Sequence, residues 1–283
     1  MTRAFVLSGG ASLGAVQVGM LRALGERGIL PDLVVGASAG AINAAWVAGD
    51  PRLEDLDGLE RIWLGLRTRD VFPPEPLRGL LGFLGRRQSL VSNQPLRALL
   101  ARNIRFARLE DAAIPISVIA TEVMTGLEAI LDQGPAVDAL LASSAIPGVL
   151  PPVTIEGRPL IDGAIVNNVP ISEAVDNGAT EVWVLSTGYA CDLTEPPKSA
   201  LGMTLHALSL LLEQRLIRDV EALQGSIDLR VIPPLCPLDV SPADFSQARL
   251  LIDRSYEAAR KWIDHLDTHV AADQARDLGF HRH

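Results

Sequence analysis

Gly36-Ala37-Ser38-Ala39-Gly40 is the stretch that most restricts what this chain can become. It stands between the apolar run Leu33-Val34-Val35, entered from Pro31-Asp32, and the alanine-rich run Ala41–Val47, which stops at Gly49-Asp50-Pro51. The first run reads as a short buried strand and the second as a helix. A G-x-S-x-G joining a strand to a helix is the nucleophile-elbow pattern. Such a turn forces the serine into a strained backbone conformation and lifts its hydroxyl clear of the sheet. The flanking positions, Gly36 and Gly40, must lack side chains, or strand and helix would collide. The following helix aims its N-terminal amides and positive dipole end at the serine. Taken alone, the same pattern also serves as a small-residue turn with no catalytic role.

The residues before it follow the same rhythm. Ala4-Phe5-Val6-Leu7 reads as a buried strand entering the loop Ser8-Gly9-Gly10-Ala11-Ser12-Leu13-Gly14. Val16, Met20, Leu21 and Leu24 follow at helical spacing, and Gly28 closes the segment. A β-loop-α-β-loop-α order predicts a parallel sheet covered by helices. Further along, Leu53–Leu66, Pro95–Arg102, Val137–Ser143, Met203–Leu223 and Phe245–Leu266 read as helices. Ile116–Thr121, Leu127–Leu131, Pro159–Ile161, Val182–Ser186 and Leu229–Ile232 read as strands, with a loop at Phe72–Pro76. There is no internal repeat and no low-complexity linker, so a single domain is expected over residues 1–270, with a polar tail over 271–283.

Composition narrows the function. A formal charge of −9 argues against the clustered positive surface that nucleic-acid binding needs. With 48% hydrophobic and 21% charged residues, the chain can bury a full core. Ala4–Leu21 carries no charge and imitates a signal peptide, but Gly9, Gly10, Gly14 and Gly19 interrupt it. No uninterrupted apolar run is long enough for a membrane span. The expectation is a cytoplasmic protein that touches membranes peripherally at most. Cys191 and Cys236 stand in no metal or redox spacing, so neither a disulfide framework nor a cysteine metal site is expected.

The Ser8–Gly14 loop admits several readings. Its G-G-x-x-x-G spacing is not the dinucleotide fingerprint, and no Gly-Lys-Ser/Thr follows, so a Walker A loop is excluded. A phosphate cradle at a helix N-terminus and an oxyanion hole made by the amides of Gly9, Gly10 and Ala11 both remain, beside a plain packing turn. Adjacent parallel strands would carry this loop next to Ser38.

A serine nucleophile needs a base. His206, His265, His269, His281 and His283 fall on helices or near the C-terminus, and none ends a strand, so a Ser-Asp-His triad has little support, though His206 stays open. Asp162 is the better candidate. It ends a short strand in Asp162-Gly163-Ala164, and Lys198 is the only Lys or Arg between Pro159 and Arg215. Burial without a positive partner would raise its pKa and strengthen it as a base. The bland alternative is an Asp-Gly turn.

In combination these segments resemble the patatin-like phospholipase family. The resemblance rests on the Ser8–Ala15 loop, the Gly36–Gly40 elbow, and Asp162-Gly163-Ala164 between Pro151-Pro152 and Asn167-Asn168-Val169-Pro170. It covers residues 3–186 well and the remainder loosely. It implies a three-layer α/β/α sandwich with a central, mostly parallel sheet, and hydrolysis of lipid acyl esters by a Ser-Asp dyad with no metal or other cofactor. Carried over residue by residue, Ser38 is the nucleophile, Asp162 the base, and Gly9, Gly10 and Ala11 the oxyanion loop. Gly14, Gly36, Gly40, Gly163 and Ala164 support these motifs. The chain departs from the pattern at Ala11, where many members have a third glycine, at Leu13, where they have a basic residue, and at Ala164 in place of a second glycine. A silent lipid-binding or scaffolding role and acyl transfer are the alternatives that the resemblance leaves.

An acyl chain needs an apolar groove beside Ser38. Leu77, Leu80, Leu81, Phe83 and Leu84, flanked by Arg78, Arg86 and Arg87, read equally as a lid over residues 77–87 or as a buried helix. The face of Met203–Leu223 that carries Leu205, Leu208, Leu212, Leu216 and Val220 reads as core packing, with a membrane or partner surface as the alternative.

Overall fold

The computed structural model describes residues 1–75, 88–188, 195–223 and 226–266. Five parallel strands form the backbone of its sheet. They are β1 (Arg3–Leu7), β2 (Leu33–Ala37), β3 (Ile116–Glu122), β7 (Glu181–Leu185) and β8 (Asp228–Ile232). Three short antiparallel strands complete it, β4 (Glu128–Leu131), β5 (Val153–Ile155) and β6 (Arg158–Asp162). The order is β5-β6-β3-β2-β1-β7-β8, with β4 also paired to β3. The central strands β1, β2 and β7 are buried along nearly their whole length. That is why they read as unbroken apolar runs rather than alternating ones.

Helices cover both faces, as the three-layer expectation requires. On one face lie α1 (Val16–Glu26), α2 (Ala39–Gly49), α3 (Leu56–Gly65), α4 (Thr68–Val71), α5 (Gln94–Asn103), α6 (Ala136–Ser143) and the closing helix α10 (Ala248–His265). On the other lie α8 (Ile171–Asp176) and α9 (Ala200–Leu223), packed over Val6, Val35, Ile119 and Val184. Leu216 and Val220 of α9 are buried there, as the spacing predicts. One four-residue helix, α7 (Ala164–Asn167), follows β6 directly. The helices and strands expected from periodicity recur within a few residues of their sequence bounds. The exceptions are β5, α4, α7 and α8, which are too short to show a period, and 3-10 turns such as the one at Ala11–Ala15 that precedes α1.

Strand β3 is paired along both edges. Thr121 pairs with Glu128 of β4 and also with Ile161 of β6. Ile119 pairs with Ile130 of β4 and also with Ala37 of β2. Strand β4 therefore holds one edge of β3, while β2 and then β6 share the other edge end to end. The handover falls between Ala37 opposite Ile119 and Asp162 opposite Ala120.

One cysteine expectation is overturned. Cys236 is disulfide-bonded and no free cysteine occurs among the described residues. Its isolation along the chain hid a pairing made only by folding. The apolar segment 77–87 lies outside the described residues. No helix among them is long and apolar enough to cross a membrane.

Candidate active site

The elbow forms where the sequence puts it. Strand β2 ends at Ala37 and α2 starts at Ala39, leaving Ser38 at φ 53°, ψ −126°. A residue with a Cβ is strained there, at a cost of order 1–3 kcal/mol. The surrounding structure fixes this conformation. The Ser38 amide donates to Ser143 Oγ at 2.8 Å, and Ser143 Oγ in turn donates to the Ile119 carbonyl at 2.5 Å. A side chain at Gly40 would strike the Leu7 carbonyl, and one at Gly36 would stand 2.7 Å from the main chain of Ala41. Both glycines are therefore required by the close approach of strand and helix, as the elbow argument predicts.

Ser38 and Asp162 meet. Ser38 Oγ donates to Asp162 Oδ2 at 2.8 Å, across 124 positions of sequence. The other carboxylate oxygen, Oδ1, accepts from the Ala164 amide at 2.9 Å, and Thr121 Oγ1 donates to the Asp162 carbonyl at 2.8 Å. Both Ser38 and Asp162 are buried, at 5% and 4% exposure, so neither is freely hydrated. Burial pushes the Asp162 carboxyl up from 3.8 to about 6, against the lowering effect of the Ala164 amide and the Ser38 hydroxyl. No histidine hydrogen-bonds to Ser38 among the described residues. His206 lies on α9, across the sheet from α2. Gly163 is close-packed as well, because a side chain there would strike the Ile119 carbonyl.

The Ser8–Gly14 loop lies beside the serine. Gly9 packs so tightly that a Cβ on it would stand 2.9 Å from Ser38 Cβ, 2.6 Å from Asn168 Oδ1 and 3.4 Å from Ala164 Cβ. The three amides of the loop are not equivalent. That of Gly9 donates to the Asn168 carbonyl at 3.4 Å, whereas those of Gly10 and Ala11 meet no acceptor among the described residues. Ala11 itself takes a positive φ of 50°, a conformation a glycine would adopt without strain. The loop is held from behind by a buried network that the sequence reading did not single out. Gln17 Nε2 donates to the carbonyls of Ser8 and Leu185, each at 2.9 Å. Asn43 Nδ2 donates to Gln17 Oε1 at 2.7 Å and to the Gly14 carbonyl at 3.0 Å, and Trp63 Nε1 donates to Asn43 Oδ1 at 3.0 Å. Gln17 and Asn43 are fully buried, and a polar residue on an otherwise apolar helix stripe was the signal available to find them. Gly14 accepts Trp63 against its bare Cα, where a Cβ would come within 2.9 Å of the ring.

A cleft of about 760 Å³, its open mouth included, runs from Ser38 and Ala11 between α2, α3 and α5. Its walls are almost wholly apolar, with Ile42, Trp46, Leu59, Leu96 and Leu100 among them. Ser144 interrupts them with a buried hydroxyl that has no partner among the described residues. No group of three or more His, Cys, Asp or Glu side chains capable of holding a metal ion occurs among the described residues.

Comparison with known proteins gives one consistent picture. The family model described as patatin-like phospholipase matches residues 5–175. Lysophospholipase NTE1 of Kluyveromyces lactis is 28% identical over 189 residues, covering 67% of this chain and 13% of that protein. Patatin-like phospholipase domain-containing protein 7 of Rattus norvegicus is 28% identical over 187 residues, covering 65% of this chain and 13% of that protein. The chain thus spans a small part of the length of these relatives. Among solved structures, VipD from Legionella pneumophila superposes with a TM-score of 0.50 at 17% identity, over 93% of this chain and 67% of that one.

Proposed function

The chain belongs to the patatin-like phospholipase family, and we propose that it hydrolyses acyl esters of lipids through a Ser38–Asp162 dyad and an acyl-enzyme intermediate. Ser38 is the nucleophile. Asp162, as the carboxylate, takes the Ser38 proton as Oγ attacks the ester carbonyl carbon. The amides of Gly10 and Ala11, which meet no acceptor among the described residues, receive the negative oxygen of the tetrahedral intermediate. One such donor is typically worth about 3–4 kcal/mol of barrier. Gly9 serves this loop through its missing side chain rather than through its amide, which is already engaged. Asp162 then returns the proton to the leaving alcohol. Water attacks the acyl-enzyme by the same path in reverse and releases the carboxylic acid.

The observation that carries this reading is the 2.8 Å hydrogen bond between Ser38 Oγ and Asp162 Oδ2 at the head of an apolar cleft. A carboxylate with an ordinary pKa is a poor base for a hydroxyl. Raised to about 6 by burial, Asp162 is a stronger base and is still ionised at neutral pH. The cleft supports an acyl chain as the group that is bound, since a long apolar wall next to the nucleophile gains only from burying hydrocarbon.

The test is direct. Ser38→Ala and Asp162→Asn each abolish release of a chromogenic acyl ester while the thermal melt of each stays intact, and a fluorophosphonate labels the wild type at Ser38. Full turnover in either variant overturns the dyad. Failure of the wild type to label under native conditions favours a silent lipid-binding role.

A further inference from the structure

The peptide between Gly9 and Gly10 carries one of the two free amides of the loop, and its carbonyl is held by a side chain that the mechanism above does not use. Thr187 stands just beyond the end of β7 and is 1% exposed. Its Oγ1 donates to the Gly9 carbonyl at 2.6 Å. A hydroxyl has a single proton, so in the 3.2 Å contact between Thr187 Oγ1 and Ser8 Oγ it is Ser8 that donates. Ser8 Oγ in turn accepts from the Thr187 amide at 2.8 Å, and Ser8 is fully buried. The two hydroxyls thus form a closed relay that ends on the Gly9 carbonyl. The peptide is trans, so its N–H points opposite to its carbonyl. Whatever holds the Gly9 carbonyl therefore also fixes the direction of the Gly10 amide. Neither flanking residue has a Cβ to resist rotation of this peptide. The loop touches both partners closely. A Cβ on Gly10 would stand 2.3 Å from Thr187 Oγ1, and one on Gly9 would stand 2.9 Å from Ser38 Cβ. The Ala11 amide is fixed differently, because the carbonyl of its own peptide, that of Gly10, accepts from the Leu13 amide at 3.0 Å.

We propose that Thr187 is the positioning residue of the oxyanion hole. Its hydroxyl, backed by that of Ser8, holds the Gly9–Gly10 peptide with the Gly10 N–H turned towards the oxygen that becomes negative when Ser38 attacks. The inference rests on the Ser38–Asp162 reading above and on the loop amides as its oxyanion donors. Thr187 touches no reacting atom and acts through the peptide in two ways. First, it opposes a flip of the peptide, which would turn the Gly9 carbonyl towards the site and repel the oxyanion. Second, donation to the carbonyl polarises the peptide and makes the Gly10 N–H a stronger donor, as along any buried chain of hydrogen bonds. The bond from the amide strengthens as charge develops on the substrate oxygen. The contribution of Thr187 therefore falls on the transition state rather than on the bound ester. The Ala11 amide, tied through the main chain alone, keeps its place when Thr187 is changed.

The role is separated from plain packing by a split between kcat and KM. Thr187→Val, Thr187→Ser and Ser8→Ala are assayed with a p-nitrophenyl acyl ester and with a long-chain trifluoromethyl ketone. Ser38 Oγ adds to the ketone carbon, its proton passes to Asp162, and the ketone oxygen becomes an oxyanion in the hole. In Thr187→Val, kcat is expected to fall about 10- to 100-fold, less than the loss of a whole donor typically costs. KM and the pH midpoint of kcat/KM stay at their wild-type values. The inhibition constant of the ketone rises by the factor by which kcat/KM falls. Thr187→Ser restores the hydroxyl and recovers most of both. Ser8→Ala withdraws only the donor behind Thr187, so it lowers kcat by a smaller factor at unchanged KM, and it decides the matter should Thr187→Val not fold. Wild-type kcat in Thr187→Val and in Ser8→Ala overturns the proposal. So does an equal loss in Thr187→Ser and Thr187→Val, which is the signature of packing, or a shifted pH midpoint, which places the damage at Asp162. A wild type inert towards ester and ketone alike overturns the dyad and this proposal with it, whereas the other failures, seen beside a wild type that turns over, overturn this proposal alone.

Discussion

Ser143 Oγ accepts from the Ser38 amide at 2.8 Å and donates to the Ile119 carbonyl at 2.5 Å. The strained residue of the elbow is therefore clamped through its main chain to β3 by a hydroxyl on α6. Without that hydroxyl, the Ser38 amide and the Ile119 carbonyl both lose a buried partner. Ser143→Ala is expected to cost about 1–3 kcal/mol, measured by the urea midpoint, and to lower kcat for a chromogenic ester. Ser143→Thr keeps the hydroxyl and recovers more of the activity than Ser143→Ala.

The pKa of Asp162 fixes two pH dependences of opposite sign. The folded-state value of about 6 lies above the ordinary 3.8. Across that window the folded chain holds the proton more tightly than the unfolded one, so this group's contribution to stability declines as pH rises and then levels off. The whole interval is worth about 3 kcal/mol. Asp162→Asn removes it, and the variant should unfold at higher urea than wild type at pH 8, with the difference closing below about pH 4. Activity runs the other way. For a chromogenic ester, kcat/KM should rise through about pH 6 as the carboxylate forms. A flat profile between pH 5 and 7 contradicts the assignment of Asp162 as the base.

Strain at Ser38 can be read by comparing two inactive variants. Ser38→Ala keeps a Cβ at φ 53°, and Ser38→Gly does not. Relief of the backbone strain outweighs the greater freedom of an unfolded glycine, so Ser38→Gly should be the more stable by about 1 kcal/mol in matched urea melts. The reverse order would mean that the elbow is not strained.

Ser144 makes a prediction of the opposite kind. Its hydroxyl is buried in the wall of the apolar cleft without a partner among the described residues. Ser144→Ala removes an unsatisfied polar group and should be neutral or stabilising by about 1 kcal/mol. KM for long-chain esters should fall, because the wall becomes uniformly apolar. A loss of stability or a rise in KM shows instead that the hydroxyl holds a polar part of the substrate.

Much of the site was legible in the sequence because close packing leaves marks in residue type. Gly36 and Gly40 announce the strand-to-helix collision that they avoid, and Asp162-Gly163 announces its turn. The parallel sheet was legible from the rhythm of apolar runs, since strands covered on both faces cannot alternate. What sequence reading missed has no local mark. Ser143 and Ser144 are ordinary polar residues whose importance comes from where the end of α6 delivers them. Gln17 and Asn43 meet only after α1 and α2 pack together. The disulfide at Cys236 was hidden for the same reason.

Since β2 and β6 lie end to end along one edge of β3, the alignment of Ser38 with Asp162 is set by three strand ends and by the end of α6, where Ser143 holds the Ser38 amide and the Ala145 carbonyl accepts from the Asp162 amide. Insertions or deletions in the other connecting segments can reshape the cleft without disturbing the pair, provided the pairing of β3 and the end of α6 stay in step. The arrangement separates the evolution of substrate choice from the upkeep of the chemistry. A redesign of specificity should therefore spend its changes on the linking loops and leave Ile119 to Thr121 untouched.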